Sequence, residues 1–371
     1  LKRITKLINV VSPAIVAPNK AGTKICLLGN SEPLIINAEI PNPIDIINNN
    51  IVFEEYPNSI FCQSSMYEQI VLALGAESLL RASSYSRNDD VRNVWFQTLY
   101  PQIMDVEPAG GDQNGITNEL LVSYELDLMF VGDQEQYEEF VNLGIPCVVL
   151  EINSLEDLLE AIQIVGQCLG ITYQKKAEDI VEYGENLLEL VNEKNKEISE
   201  KERITAYFME SRYAASEPTL FMTWGADSFQ ANCLKTVGID TVGAEFLESG
   251  VRAEISTEQL LLSDPDVIVI GGFYEQMNYD ALLVDEELKT LSAVKERKIY
   301  RVPVGVSEWT RIGVESLLLP LWYGSVFYPE LYSDVDINVM VKDFYQNVMG
   351  IELKEEYQTR IMAGMAGPGN E

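Results

Sequence analysis

The residues best suited to chemistry fall into two sets. The first is a pair of glutamates in a repeated pattern. Ile116-Thr-Asn-Glu119 precedes Asp127-Leu-Met-Phe-Val-Gly132, and Ile255-Ser-Thr-Glu258 precedes Asp266-Val-Ile-Val-Ile-Gly271, each landmark recurring 139 residues on. Thr117 and Ser256 read as helix N-caps, and Ser256-Thr-Glu-Gln259 has the spacing of a capping box. Both glutamates then fall second in a short helix, where the helix dipole favours a carboxylate by a few tenths to ~1 kcal/mol. That is a sufficient structural reason for them. They are equally a matched pair of exposed anions, one per repeat, which a partner with two basic patches can read as a distance.

The second set lies at the carboxyl ends of predicted strands, where open α/β sheets gather their ligands. The first half of the chain offers Gln63-Ser-Ser65-Met66, Ser84-Tyr85-Ser-Arg87, Glu107-Pro-Ala-Gly-Gly111 and Gly132-Asp133. The second half offers Glu210-Ser-Arg212-Tyr213, Thr223-Trp224-Gly225, Phe273-Tyr274 and Ser307-Glu-Trp309-Thr-Arg311. Aromatic faces suit a flat or bulky ligand, and arginine recognises carboxylate or phosphate. Each residue also has a plain structural use. Trp224 and Trp309 suit a core as well as a cleft, Ser64-Ser65 suits a cap, and Arg87 suits a surface pair with Asp89 or Asp90. Gly110-Gly111 suits a turn, and no GxGxxG or Walker pattern makes it a phosphate cradle.

The elements that must position these residues alternate. Ile60–Cys62, Leu80–Ser83, Asp127–Val131 and Cys147–Leu150 read as strands, with a helix from Met66 to Leu74 ending at Gly75 and another before Cys147. Ser154 opens a helix that ends near Gly170. A second helix runs from about Tyr173 to Ser199 with apolar residues at helical spacing, spanning roughly 40 Å at ~1.5 Å per residue. The α/β pattern then restarts with Ile204–Met209, a helix from Ser228 to Val237, strands Val267–Ile270 and Ile299–Val302, and closing helices at Val314–Tyr323 and Asp343–Val348. The reading is an α/β chain of two Rossmann-like lobes with mostly parallel central sheets, joined by a long linking helix. The expected divisions are an N-terminal extension of short β strands (1–43), a first lobe (44–170), the linking helix (171–200) and a second lobe (201–371). Within the extension the apolar runs are Ile8–Val11, Ile25–Leu28 and Leu34–Ile36. Residues 44–53 read as two strands about an Asn-rich turn, and the tail from Gly364 reads as frayed.

Composition narrows the function. The 371 residues carry a net charge of −32, and no basic footprint for nucleic acid is visible. No apolar run is long enough to span a membrane, and the start at Leu1-Lys-Arg-Ile-Thr lacks signal-peptide order, so export would require a signal removed upstream. Five cysteines without CxxC spacing read as buried free thiols rather than a disulfide framework. There is no histidine, which excludes Ser-His-Asp and Cys-His catalysis and most zinc sites.

In the order and spacing of several stretches the chain resembles the substrate-binding proteins of ABC importers for iron chelates, haem and vitamin B12. The resemblance covers about residues 44–355. It is carried by Ile44-Asp45 with Pro57-Asn-Ser-Ile60, Ser64 through Glu68 to Leu74-Gly-Ala76, Leu143-Gly-Ile-Pro146, Leu155-Glu-Asp-Leu158 with Gly166, Ser228-Phe229 before Gly238, Glu258-Gln-Leu with Asp264-Pro-Asp266, and Ala293-Val294 before Tyr300. Ser83-Ser-Tyr-Ser86 matches the B12-binding branch. The first repeat departs from the family with Glu125-Leu126 in place of Lys-Pro, and the aromatic residue that B12 binders carry in the first-lobe loop is absent near Glu107.

The resemblance implies a non-enzymatic, extracytoplasmic protein, anchored by a lipid outside this numbering. It would hold a ferric siderophore, haem or corrinoid between its lobes and pass it to an ABC permease docked on Glu119 and Glu258. It implies no cofactor and, with no histidine, no free-metal site. The expected ligand-binding residues are Ser65, Met66, Tyr85, Arg87, Glu107, Asp133, Arg212, Tyr213, Trp224, Phe273, Tyr274, Trp309 and Arg311. The rivals are a metal-dependent enzyme with Asp133, Glu151 and Glu210 on a hard cation, and a surface adhesion module.

Overall fold

A computed structural model describes residues 45–46, 55–85, 91–109, 116–211, 218–272 and 274–365, together with three short strands further upstream. Those strands, β1 (Val16–Pro18), β2 (Ile25–Leu27) and β3 (Leu34–Ile36), form an antiparallel meander. Two of them coincide with expected apolar runs. The expected Ile8–Val11 run, the Asn-rich turn and the Gly110-Gly111 turn lie outside the described residues, as does the tail from residue 366.

The first lobe is built on β4 (Ile60–Cys62), α1 (Ser65–Ala73), α2 (Val91–Leu99), α3 (Asn118–Ser123), β5 (Leu128–Val131), α4 (Gln134–Asn142), β6 (Cys147–Val149) and α5 (Leu155–Leu169). Its sheet is parallel in the order β4-β5-β6, with Ile60 opposite Leu128 and Met129 opposite Cys147. All three strands are buried throughout, as strands covered on both faces must be. The expected strand at Leu80–Ser83 is absent: Leu80 and Ser83 make only single bridges, to Ile60 and Pro108. A turn of 3-10 helix at Glu77–Leu79 and capture of the Ser83-Ser84 loop by Glu68 replace a regular ladder. Helix α2 was not expected.

Helix α6 (Ile171–Asn195) follows α5 directly. Its 25 residues span about 37 Å. The two helices pack closely because Gly166 lies where any side chain would strike Ala177, and because a Cβ at Gly184 would sit 2.5 Å from Leu159 Cδ2.

The second lobe contains β7 (Thr205–Glu210), β8 (Met222–Trp224), α7 (Phe229–Thr236), β9 (Asp240–Thr241), α8 (Val242–Phe246), β10 (Arg252–Glu254), α9 (Thr257–Ser263), β11 (Val267–Gly271), α10 (Glu275–Val284), α11 (Ser292–Lys295) and β12 (Ile299–Arg301). Three helices close the chain: α12 (Leu319–Phe327), α13 (Ile337–Asn347) and α14 (Glu355–Met362). The sheet is parallel in the order β12-β11-β7-β9, and β8 and β10 form an unexpected antiparallel pair with Trp224 opposite Arg252. Val314–Leu318 is 3-10 rather than α. Helix α13 begins six residues before the expected Asp343, because Asp336 caps it through the Asn338 and Val339 N–H groups.

One apolar core runs through both lobes. It joins Ile60 and Phe130 of the first sheet to Leu158, Ile162 and Leu187 of the linking helices and on to Phe208, Val269 and Leu317 of the second lobe. A second tie lies at the C-terminus. Ile361 of α14 accepts the Val304 N–H, while Trp95 of α2 packs edge-on against Tyr357 and donates its indole N–H to the Met365 carbonyl at 2.9 Å.

Candidate functional site

The repeat is a structural frame present once in each lobe. Helices α3 and α9 carry Glu119 and Glu258 second in their first turns, and both carboxylates are exposed. Thr117 caps α3 by accepting the Leu120 N–H, and Ser256 caps α9 in a complete capping box with Gln259. Each frame then takes one residue into the left-handed region, Glu125 (φ 51°) and Asp264 (φ 36°). It ends on an aspartate that ties the start of a neighbouring parallel strand. Asp127 accepts the Asn58 and Ser59 N–H groups at 2.8 and 3.0 Å, and Asp266 accepts the Thr205 N–H and hydroxyl at 2.7 and 3.0 Å.

The strand ends bring the two lobes face to face. In the second lobe Ser211 follows β7, donating its hydroxyl to the Gly271 carbonyl at 2.7 Å and accepting the Tyr274 N–H at 3.1 Å. Gly272 must be glycine, since its φ is +97° and a side chain would strike Ser211. Beneath them Glu308 is fully buried and accepts the Thr310 N–H and hydroxyl at 2.8 and 2.6 Å and the Gly272 N–H. Glu315 accepts the Val306 and Ser307 N–H groups at 3.0 Å each and the Tyr345 hydroxyl. Burial pushes both carboxyls up to about 7 against the pull of these hydrogen bonds.

In the first lobe Glu68 has the same role. It is fully buried and accepts the Ser83 hydroxyl at 2.6 Å, the Ser84 N–H at 2.7 Å and the Ser84 hydroxyl at 2.5 Å. Burial raises its pKa, and the serine hydrogen bonds oppose the rise. The loop it holds leads to Tyr85, whose ring stacks on Phe96. Burial lifts the Tyr85 phenol well above its usual range, the Glu68 and Glu315 charges add to the rise, and Gln69 and Arg311 oppose it. The junction is tightened by Gln69, which occupies the space a side chain at Gly313 would need, and by Asn232 of α7, which donates to the Asn153 carbonyl at 2.8 Å.

The expected ligand residues separate on this frame. Tyr85, Trp224, Tyr274, Arg311, Ser65 and Met66 lie at the strand ends, the last five half-buried and Tyr85 buried. Trp309 is a correction: it is fully buried within the core and presents no face to a ligand. Asp133 is exposed, and its carboxylate caps α4 through the Gln136 N–H at 2.8 Å. Glu107 is exposed and tied to Arg81 at 3.4 Å. Arg87, Arg212, Tyr213 and Phe273 lie outside the described residues. The cation ligands of the enzyme reading are not assembled: Asp133 caps a helix, Glu151 accepts from Asn153, and Glu210 pairs with Arg252 at 2.7 Å. Among the described residues no group of three or more acidic or sulfur ligands is placed to hold a metal ion.

Sequence reasoning missed Glu68, Glu308 and Glu315, which hold the strand-end loops, and Arg252, whose guanidinium lies 5.9 Å from the Trp224 ring centroid. The available signal for Glu68 was its place one helical turn before the apolar Val71 and Leu72, on the face of α1 that is buried.

Comparison with known proteins agrees with this fold. The sequence profile described as periplasmic binding protein matches residues 108–304, more than half of the chain. The chain belongs to the periplasmic binding protein family. Members of known structure share the fold at low identity. The ABC transporter solute binding protein of Sulfurospirillum deleyianum superposes with a TM-score of 0.73 at 22% identity, over 87% of this chain and 99% of that one. Helicobacter pylori CeuE with Ni(II) bound gives 0.67 at 19% identity, over 86% and 98%. The molybdate-binding protein MolA of Haemophilus influenzae is 22% identical over 85% of this chain and 90% of its own. Its molybdate-bound structure superposes with a TM-score of 0.69 at 18% identity, over 84% and 98%.

Proposed function

We propose that the protein is the extracytoplasmic solute-binding component of an ABC importer. It holds a metal chelate, such as a ferric siderophore, haem or corrinoid, in the cleft between its lobes and presents it to a permease through Glu119 and Glu258. The carrying observation is that two equivalent frames leave one exposed glutamate on each lobe, while the lobes meet where Gln69 fills the space beside Gly313 and Asn232 bonds to the Asn153 carbonyl. Half-buried Trp224, Tyr274 and Arg311 supply a mixed aromatic and cationic wall on the second lobe. The continuous core keeps closure of the lobes small. No described helix is long and apolar enough to cross a membrane.

The likeness to MolA favours a bare oxyanion as the competing ligand class. Mass spectrometry of whatever copurifies with the protein separates the two. Docking is tested by the charge reversals Glu119→Lys and Glu258→Lys. Each is expected to lower transport at least tenfold, with the affinity for ligand unchanged. Full transport by the double variant would remove the docking role. Trp309 lies in the core, so quenching on ligand binding is expected from Trp224 and should vanish in Trp224→Phe.

A further inference from the structure

We infer that the first-lobe wall of the cleft is built to accept hydrogen bonds at Ser84, so that the ligand presents N–H or O–H donors, or a cationic group, to this loop. The inference rests on the solute-binding reading and narrows it to a ligand class.

The argument is a count of hydrogens. An ionised carboxylate only accepts, and a serine hydroxyl has one hydrogen to give. Glu68 lies within 2.5–2.7 Å of the Ser83 hydroxyl, the Ser84 hydroxyl and the Ser84 N–H. Both hydroxyl hydrogens are therefore committed to it. The Ser83 oxygen in turn accepts the Tyr85 N–H at 3.1 Å. Ser84 is half-buried at the strand-end loop, and with its hydrogen turned inward only lone pairs remain for a ligand.

The first-lobe loop is thus an acceptor at Ser84, and a ligand that fits turns N–H, O–H or ammonium groups toward it. A bare tetrahedral oxyanion sets oxygen against oxygen at Ser84, leaving unpaired acceptors in a half-buried site. The net charge of −32 adds a long-range penalty for such an anion.

The test is calorimetric titration at pH 8 with three probes: ferrioxamine B (a ferric trihydroxamate with amide N–H groups and a protonated amine), the nickel–histidine complex, and molybdate. At least one donor-bearing probe is expected to bind tenfold or more tighter than molybdate. Glu68→Gln replaces one acceptor by an amide N–H and turns a serine hydrogen outward, so it should shift the preference toward molybdate by about tenfold. Ser84→Ala should weaken the donor-bearing probe about tenfold and leave molybdate unchanged. Tighter binding of molybdate by the wild-type protein overturns the inference and leaves solute binding intact. Equal weakening of all probes in both variants reduces Glu68 and Ser84 to a structural role and also overturns it. Failure of the wild-type protein to bind any probe removes the solute-binding reading and the inference with it.

Discussion

The two copies of the repeat do the same work with different amounts of support. In the second lobe, Ser256 and Gln259 close the capping box from both sides. Asp264 reaches further, accepting the Ser292 N–H and hydroxyl at 2.7 Å each. In the first lobe Thr117 caps from one side only. Its left-handed position is held by Glu125, which lacks a comparable tie among the hydrogen bonds of the described residues, and Leu126 stands where the second copy has Pro265. What is shared is the exposed glutamate and the strand-anchoring aspartate. The difference teaches which parts of the pattern place the anion and which only stiffen its helix.

The largest expected contrast concerns the buried carboxyls. Glu308 and Glu315 of the second lobe are pushed to about 7 by burial, against 4.5 for a free glutamate. Between those values the folded protein keeps protons that the unfolded chain has released. Stability should therefore fall as pH rises from about 4.5 through 7, by at most about 3 kcal/mol per group. Urea unfolding of Glu308→Gln at pH 5, 6, 7 and 8 should show a flatter decline than the wild-type protein. A constant difference across that range would show that Glu308 does not titrate there.

Next come the anchoring aspartates. Asp266→Ala and Asp127→Ala each remove two hydrogen bonds to a charged acceptor at an exposed site, and each is expected to cost about 2 kcal/mol. Equal losses by thermal or urea unfolding would establish the two frames as equivalent. A much smaller loss for Asp127→Ala would confine the frame to the second lobe. The smallest contrast is at the caps: Ser256→Ala should cost about 1 kcal/mol, and Thr117→Ala somewhat less because its box is incomplete. A larger loss at Thr117 would invert the comparison.

Periodic features were legible in advance. The strands Ile60–Cys62 and Val267–Gly271 are unbroken apolar runs, and α5 and α6 show helical spacing between a serine cap and a run of polar residues. The β8–β10 pair was not foreseen, although Val251-Arg-Ala-Glu-Ile255 alternates apolar and polar residues; three-residue strands are too short to stand out from the surrounding loops. Helix α2 follows a polar stretch from Ser86 to Asp90 that masks its start. The places of Glu119 and Glu258, second in their helices, were legible from the repeat spacing. Glu68, Glu308 and Glu315 were not, since a glutamate's type points to the surface and only packing reveals an internal one. Trp309 erred in the other direction, as its type suits a cleft and the core took it.

A single apolar core passing from Phe130 through Ile162 and Leu187 to Val269 leaves no seam at the hinge. Each lobe keeps a smaller core on the outer face of its sheet, but cutting one lobe away would expose the apolar face that the shared core covers on the other, so the two are expected to unfold together. Heat absorbed in unfolding should appear as one endotherm rather than two. Domain exchange between relatives, easy where lobes meet through a bare linker, is closed to a chain built this way. Its lobes must change together, and the cleft between them inherits its geometry from residues that never see the ligand.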